Sequence, residues 1–345
     1  MDSLADLLHG IFLHWHFLPP ERFVLAAEAL LLALVAGFIT GPQTHSATPL
    51  FWRLIDATFG RLGVRLDNMN RNPSDLISRG VILVIFLILF TGALGIWLET
   101  RLPLLPVPSL FEVLIVSCCL STGAVIHHDM RLHQVLKGAR MSDGTYLTLA
   151  RTSRINFMNR DDSTLTRTGI EILVRLFDKA CVAPLLWYVL AGLPGLLIYS
   201  ALSAFAWQHG YDGNYRGIGS AALALEKLMG FVPTLFSASL IGLTPFIVPG
   251  TNPVQAMKGF TNPKDTHPYD EGGSPVSVAA GALNITLGGA VTHLNGRMMK
   301  RAWTGPKSAT AQIQADHLKR ALYMIFIAEI YFVAALLCAS LWGQL

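Results

Sequence analysis

The chain has 345 residues, of which 52% are hydrophobic and only 14% charged, with a mean hydropathy of +0.48. A soluble globular protein carries about 25% charged residues, so an ordinary soluble enzyme is excluded, and so is a disordered chain, which needs low hydrophobicity. Lys plus Arg number 26 against 22 for Asp plus Glu, a formal net charge of +4, too little for the dense basic face of a nucleic-acid-binding protein.

In chain order, the first 21 residues hold three histidines and two acids ahead of Glu21 without a basic start. A secretory signal needs that start, so Leu7 to Phe17 reads as an interfacial segment. A span needs about 20 mostly apolar residues. Six runs qualify: Phe23–Thr40, Val81–Leu98, Leu110–Ile126, Cys181–Trp207, Leu228–Val248 and Ala321–Trp342. Three acids lie within them, Glu28, Glu112 and Glu329, and acids inside spans mark pathways or find partners. Gly192-Leu193-Pro194-Gly195 interrupts the fourth run. Proline breaks the helical ladder and glycine permits a turn. The reading taken here is one kinked span, with 208–227 outside; a re-entrant hairpin is the alternative. Val276–Val291 is apolar but short and glycine-rich, and reads as a re-entrant or buried segment. The four cysteines fall in apolar runs and read as small buried hydrophobes. The fold class expected is all-α: one polytopic membrane domain over 1–345, in contact with the lipid bilayer. No oligomeric state follows from it.

Positive charge gives an orientation. Residues 42–79 carry five Lys or Arg, 127–179 carry nine and 292–320 carry six, whereas 99–109 carry only Arg101. Segments 42–79, 127–179 and 250–320 are therefore placed in the cytoplasm and the 99–109 turn outside, as in a multi-pass protein of the cell inner membrane.

Polar clusters sit in the connections. His127-His128-Asp129 with His133 is the densest group of ligand-type residues; Asp129 and His133 share a helix face at i,i+4 and could hold a divalent metal, but the favoured reading is an interfacial helix start with a cationic, solvated face. Asn159-Arg160-Asp161-Asp162-Ser163 gathers a guanidinium, two carboxylates and a hydroxyl. Such carboxylates can hold Mg²⁺ while phosphates complete its shell, and arginine offers a planar fork to phosphate. Alternatively, Asp162 or Ser163 caps the following helix. No Walker-type loop is present. Ser274-Pro275, Ala280-Gly281-Ala282-Leu283 and Leu287-Gly288-Gly289 form a small-residue segment suited to close helix packing or to a ligand.

Taken in order, these pieces resemble the adenosylcobinamide-phosphate synthase family of integral membrane proteins. The resemblance rests on Ala150-Arg151, Asn159-Arg160-Asp161-Asp162, Val182-Ala183-Pro184-Leu185-Leu186-Trp187-Tyr188, Gly192-Leu193-Pro194-Gly195, Tyr199, Gly210-Tyr211 and the Ser274 to Gly289 block. Gly41-Pro42-Gln43 and Thr48-Pro49 stand where the family has Gly-Asp-Pro and His-Pro. The resemblance implies a corrinoid substrate, ATP as co-substrate, Mg²⁺, and formation of an amide between adenosylcobyric acid and aminopropanol or its phosphate. It implies catalytic roles for Arg160, Asp161, Glu171 and Glu226, and metal binding by Asp161 and Asp162. Tyr211, Ser274, Pro275, Gly281, Gly288 and Gly289 would bind substrate. A non-catalytic paralogue that binds a partner or ligand remains the alternative.

Overall fold

The long apolar runs become helices because, in lipid, only a helix or a closed barrel satisfies every backbone polar group. The computed structural model describes residues 19–67, 72–138, 143–157, 161–210, 217–261, 273–294, 296, 298–299, 303–307, 309–310 and 312–343. In chain order, α1 is Pro20–Thr40, α2 Leu50–Ile55, and a π-helical turn Asp56–Gly60 leads into α3, Arg61–Leu66. Then come α4 Pro73–Arg101, α5 Pro108–Cys118, α6 Gly123–Leu136, α7 Asp143–Ser153 and α8 Asp162–Phe177. A second π-turn, Asp178–Val182, joins α8 to α9, Ala183–His209. The remaining helices are α10 Ser220–Leu243, α11 Pro253–Thr261, α12 Gly273–Leu283 and α13 Ala315–Trp342. Between α12 and α13, β1 Leu287–Gly288 pairs with β4 Trp303–Thr304, and β2 Val291–Thr292 with β3 Met298–Met299, both antiparallel.

Six helical stretches are long and apolar enough to cross a bilayer: Pro20–Thr40, Pro73–Leu104, Pro108–Leu136, Asp162–His209, Ser220–Phe246 and Ala315–Trp342. Residues 127–136 and 162–179 thus lie within these stretches, and 137–161 connects them.

The fourth stretch corrects the single kinked span. Ala191 (φ −132°, ψ 15°) and Gly192 (φ 64°, ψ −155°) leave the helical region. The Arg175 guanidinium lies 4.5 Å from the Trp207 ring centre. In one straight helix these residues would stand roughly 48 Å apart at 1.5 Å per residue. The chain therefore runs up from Asp162, turns at Ala191–Gly192, and returns antiparallel to His209.

Contacts assign the helix ends to two faces. On the far face Glu99 pairs with Arg22 at 3.4 Å and accepts the Leu193 N–H at 3.0 Å, and a Cβ on Gly343 would sit 3.4 Å from Pro20. On the other, basic face, Arg154 pairs with Asp56 at 2.7 Å and Ile155 bridges to His293. Both ends of α10 lie on that basic face. A Cβ on Gly80, in the second turn of α4, would come 2.3 Å from the Ile218 carbonyl. Beyond its other end, the Gly250 carbonyl accepts Arg320 Nη1 at 3.0 Å, at the start of α13. So α10 does not carry the chain across, and the described residues that flank its start, His209 and Ile218, lie with the basic face rather than outside.

This predicts a labelling pattern. In a background with Cys118, Cys119, Cys181 and Cys338 replaced by alanine, Asn214→Cys should react with an impermeant thiol reagent from the same side as Gln312→Cys. Val107→Cys should react from the opposite side. Labelling of Asn214→Cys together with Val107→Cys would refute this path for α10.

The buried-segment reading of Val276–Val291 becomes α12, buried from Pro275 to Leu283, followed by the short strands. Cysteines 119 and 181 are buried, but Cys118 and Cys338 are exposed, a correction to the reading of all four as interior. Glu28 is exposed on α1, whereas Glu329 is buried within α13.

Candidate functional site

Helix α8 carries the candidate site. Arg167, Glu171 and Arg175 follow one another at i+4, so they share one face, and Asp178 continues that stripe into the π-turn. The stripe starts at the basic face and runs into the bundle.

At its mouth Asp161 is the N-cap of α8 (φ −81°, ψ 162°), in place of the Asp162 or Ser163 cap expected from sequence. Its carboxylate accepts the Ser163 and Thr164 hydroxyls, each at 2.5 Å. These bonds, Ser163 first, hold its pKa down to about 2, so the group stays ionised. Arg167 Nη2 donates to Thr164 Oγ1 at 3.1 Å, and its guanidinium lies 4.9 Å from the Trp303 ring centre. One turn on, Glu171 Oε1 accepts the Gly288 N–H at 2.6 Å. Strand pairing sets Gly288 opposite Trp303. Gly289 has φ +87°, and a Cβ there would come 2.6 Å from the Trp303 ring, so only glycine lets that indole close over the strand.

A further turn along, Arg175 stacks on Trp207, whose Nε1 donates to the Thr152 carbonyl at 2.9 Å. Around this tier, the π-turn supplies Asp56. Burial pushes its pKa up to about 6, against the opposing pull of Arg154. His209 Nε2 donates to the Gly60 carbonyl at 3.2 Å. Asn156 N donates to the Thr292 carbonyl at 2.8 Å and Leu294 N to the Arg154 carbonyl at 2.9 Å, tying the strands to the α7–α8 connection.

The deep tier lies seven residues beyond Glu171, roughly 10 Å along the axis. Asp178 accepts Ser237 Oγ at 2.7 Å and Thr234 Oγ1 at 2.9 Å, both from α10. Lys179 donates to Glu226 Oε1, which Tyr199 OH also approaches at 3.5 Å. Asp178 and Glu226 are each 2% exposed. Buried carboxylates so placed need partners, and α10 supplies them to Asp178, while Lys179 of the π-turn and Tyr199 of α9 supply them to Glu226.

The structure thus joins Glu171 with Gly288, sets Asp161 at the rim with Asp162 opening α8, and puts Glu226 in the deep tier. Ser274 is half-buried in the first turn of α12, and Pro275 is buried. A Cβ on Gly281 would meet the Gln255 carbonyl at 2.3 Å, so this glycine serves close packing of α12 on α11. Arg160 and Tyr211 lie outside the described residues, as do His9, His14 and His16. Asp129 is bound by its neighbour His128 at 2.9 Å, both buried, rather than paired with His133 as the spacing suggested. Among the described residues no three His, Cys, Asp or Glu side chains converge to hold a metal ion. The sequence reading missed Arg154, Arg167 and Arg175; the Arg-x-x-x-Glu-x-x-x-Arg spacing was the available signal, and its tryptophan partners become visible only once the hairpin is known.

A family model described as CobD/Cbib protein matches residues 30–325. A cobalamin biosynthesis protein CobD of Brucella anthropi is 25% identical over 335 residues, covering 94% of this chain and 98% of the relative. Proteins of the same description are 25% identical over 307 residues in Stutzerimonas stutzeri (88% of this chain, 93% of the relative), and 29% identical over 219 residues in Rhizobium meliloti (61% and 65%). No solved structure matches the chain.

Proposed function

The chain belongs to the CobD/Cbib protein family, and from that premise we propose that it works in cobalamin biosynthesis, joining aminopropanol or its phosphate to a corrinoid carboxylate at the expense of ATP. The α8 stripe carries this reading: two guanidiniums stacked on indoles flank a buried glutamate, with an ionised aspartate at the mouth. In the proposed reaction a corrinoid carboxylate oxygen attacks the γ-phosphorus and ADP leaves. The amine then attacks the acyl carbon, phosphate leaves, and the amine's proton passes to a base.

Arg167 and Arg175 are suited to phosphate and carboxylate by their planar forks. Stacking against tryptophan holds them in place without removing their charge. The donor set fits Mg²⁺ carried mainly on substrate phosphates, which needs only one or two protein carboxylates. Asp161 with Asp162 would supply these; bound there, the ion would neutralise triphosphate charge. Glu171 and Glu226 are the candidate proton acceptors. By the positive-inside rule the basic face, and with it the mouth of the site, faces the cytoplasm from the inner membrane. A non-catalytic binding role is the second reading, favoured by the pairing of Glu226 with Lys179.

Complementation tests the proposal. In a cell lacking its own synthase, the wild-type chain should restore corrinoid-dependent growth when precursor is supplied. Both Asp161→Ala and Glu171→Gln should lower that rescue at least tenfold, at unchanged membrane abundance. Failure of the wild-type chain at normal abundance would favour the binding role. Full rescue by both variants would remove the α8 stripe from the chemistry.

A further inference from the structure

A cleft of about 150 Å³ lies between the basic end of α1, the 41–50 connection and the break between α5 and α6. It is separate from the α8 stripe. Ala33, Ala36, Gly37, Leu50, Leu120 and Ala124 form its apolar wall. Ala36, Leu50 and Cys118 are exposed at its edge, and the neighbouring α1 surface is apolar too, with Val35, Phe38 and Ile39 all exposed. The cleft therefore opens sideways, toward lipid.

Its polar end is cationic. Among the described residues of the lining Arg53 alone is charged, and no acid is present. Arg53 Nη2 donates to the Ser46 and Thr48 carbonyls at 2.8 and 3.1 Å, and Nη1 to Thr44 Oγ1 at 3.3 Å. These use three of the five N–H donors of a guanidinium, and Nε finds no acceptor. Desolvation pulls the Arg53 pKa down from its usual value, so the charge is held where an anion would relieve it. Thr122, another lining residue and 3% exposed, has a hydroxyl without a hydrogen-bond partner. Arg151 stands beside the cleft, donating to the Thr44 carbonyl at 3.1 Å. Gly41 (φ +65°) turns the chain at the cleft's rim, and a Cβ on Gly37 would strike the α6 backbone 2.6 Å away, so the junction of α1 with α6 is fixed.

We propose that this cleft is a binding site for one anionic phospholipid, its acyl chain against the α1 wall and its phosphate at Arg53. Basic pockets between spanning helices select anionic headgroups, and a phosphate meeting a guanidinium makes short, charge-assisted bonds. An acyl chain distinguishes this occupant from free phosphate, because the wall from Ala33 to Gly37 offers nothing to a soluble anion.

The test uses the full chain, expressed in membranes containing phosphatidylglycerol, cardiolipin and phosphatidylethanolamine, and purified with exchange into mild detergent. Co-purifying lipid is quantified by mass spectrometry. Wild type should keep an anionic lipid in preference to phosphatidylethanolamine. Arg53→Gln should lower that retention about fivefold, the contribution of one basic side chain near a membrane surface. Ala36→Leu, which narrows the wall but leaves the charge, should lower it as well. Arg65→Gln, an exposed arginine away from the cleft, should leave it unchanged, and all variants should unfold within a few degrees of wild type. Equal retention in Arg53→Gln and wild type would overturn the proposal. So would displacement of the lipid by millimolar inorganic phosphate, which would assign the cleft to a soluble anion.

Discussion

Lys179→Met should destabilise the protein by about 3–5 kcal/mol, the usual cost of removing one partner of a buried ion pair. Lys179 donates to Glu226, which is 2% exposed. Without the ammonium, Glu226 keeps, among the described residues, the long Tyr199 contact at 3.5 Å. Its Oε2 already lacks a partner. Removing both charges together, in Lys179→Met with Glu226→Leu, should recover most of the loss, because two apolar residues of similar volume replace two desolvated ions. Unfolding midpoints in detergent would read both effects. A single variant within about 1 kcal/mol of wild type, or a double variant as weak as the single, would show that the pair does not hold the deep tier together.

Gly192→Val should be nearly as damaging. Gly192 has φ +64° with ψ −155°, a region essentially reserved for glycine that costs a residue with a Cβ about 1–3 kcal/mol, most for a β-branched one. An added Cβ would lie 1.8 Å from Glu99 Oε1, displacing the carboxylate that accepts the Leu193 N–H and pairs with Arg22. Strain and the lost bond together come to about 3 kcal/mol. Gly138→Val is the control: φ is +101° there, but a Cβ would meet nothing within 4 Å, so it measures strain without the Glu99 contact. If the two substitutions cost the same, the Glu99 contact contributes nothing to the turn.

The helices were legible because apolar runs near 20 residues have one solution in lipid. Their directions were less so. Gly192-Leu193-Pro194-Gly195 suits a kink and a turn equally, and only the meeting of Arg175 with Trp207 decides between them. Hydropathy reports that α10 is buried or lipid-facing; it carries no information on whether both ends return to one face. The site was partly readable. Asp161 stood out within a family-like motif and Gly288 as a backbone-approach glycine, while Glu171 was only one of two acids available ahead of the Val182-Ala183-Pro184 block. The partner of Glu171, Gly288, comes from a segment 117 residues away, and no local pattern specifies such a pairing, whereas Asp161 finds its partners locally in Ser163 and Thr164. The histidine cluster misled for a similar reason. Spacing favours i,i+4 neighbours on an isolated helix, yet burial against α8 turns His128 onto the adjacent Asp129: a Cβ on Gly169 would stand 2.9 Å from Leu132 and 3.6 Å from Asp129 Oδ1.

The turn at Gly192 also bears on how such a chain enters a membrane. Among the described residues between Pro20 and Gly343, two connections lie on the far face: residues 102–107, Leu-Pro-Leu-Leu-Pro-Val, and the Ala191–Gly192 turn. Neither holds a charged side chain. Charged residues are what make passage through the bilayer expensive, at about 2.5–3.5 kcal/mol each at its centre. During biogenesis, then, each helical pair can slide in as a hairpin led by an apolar tip. With the proposed orientation, the basic connections, held back by their charge, would stay on the side where the ribosome delivered them.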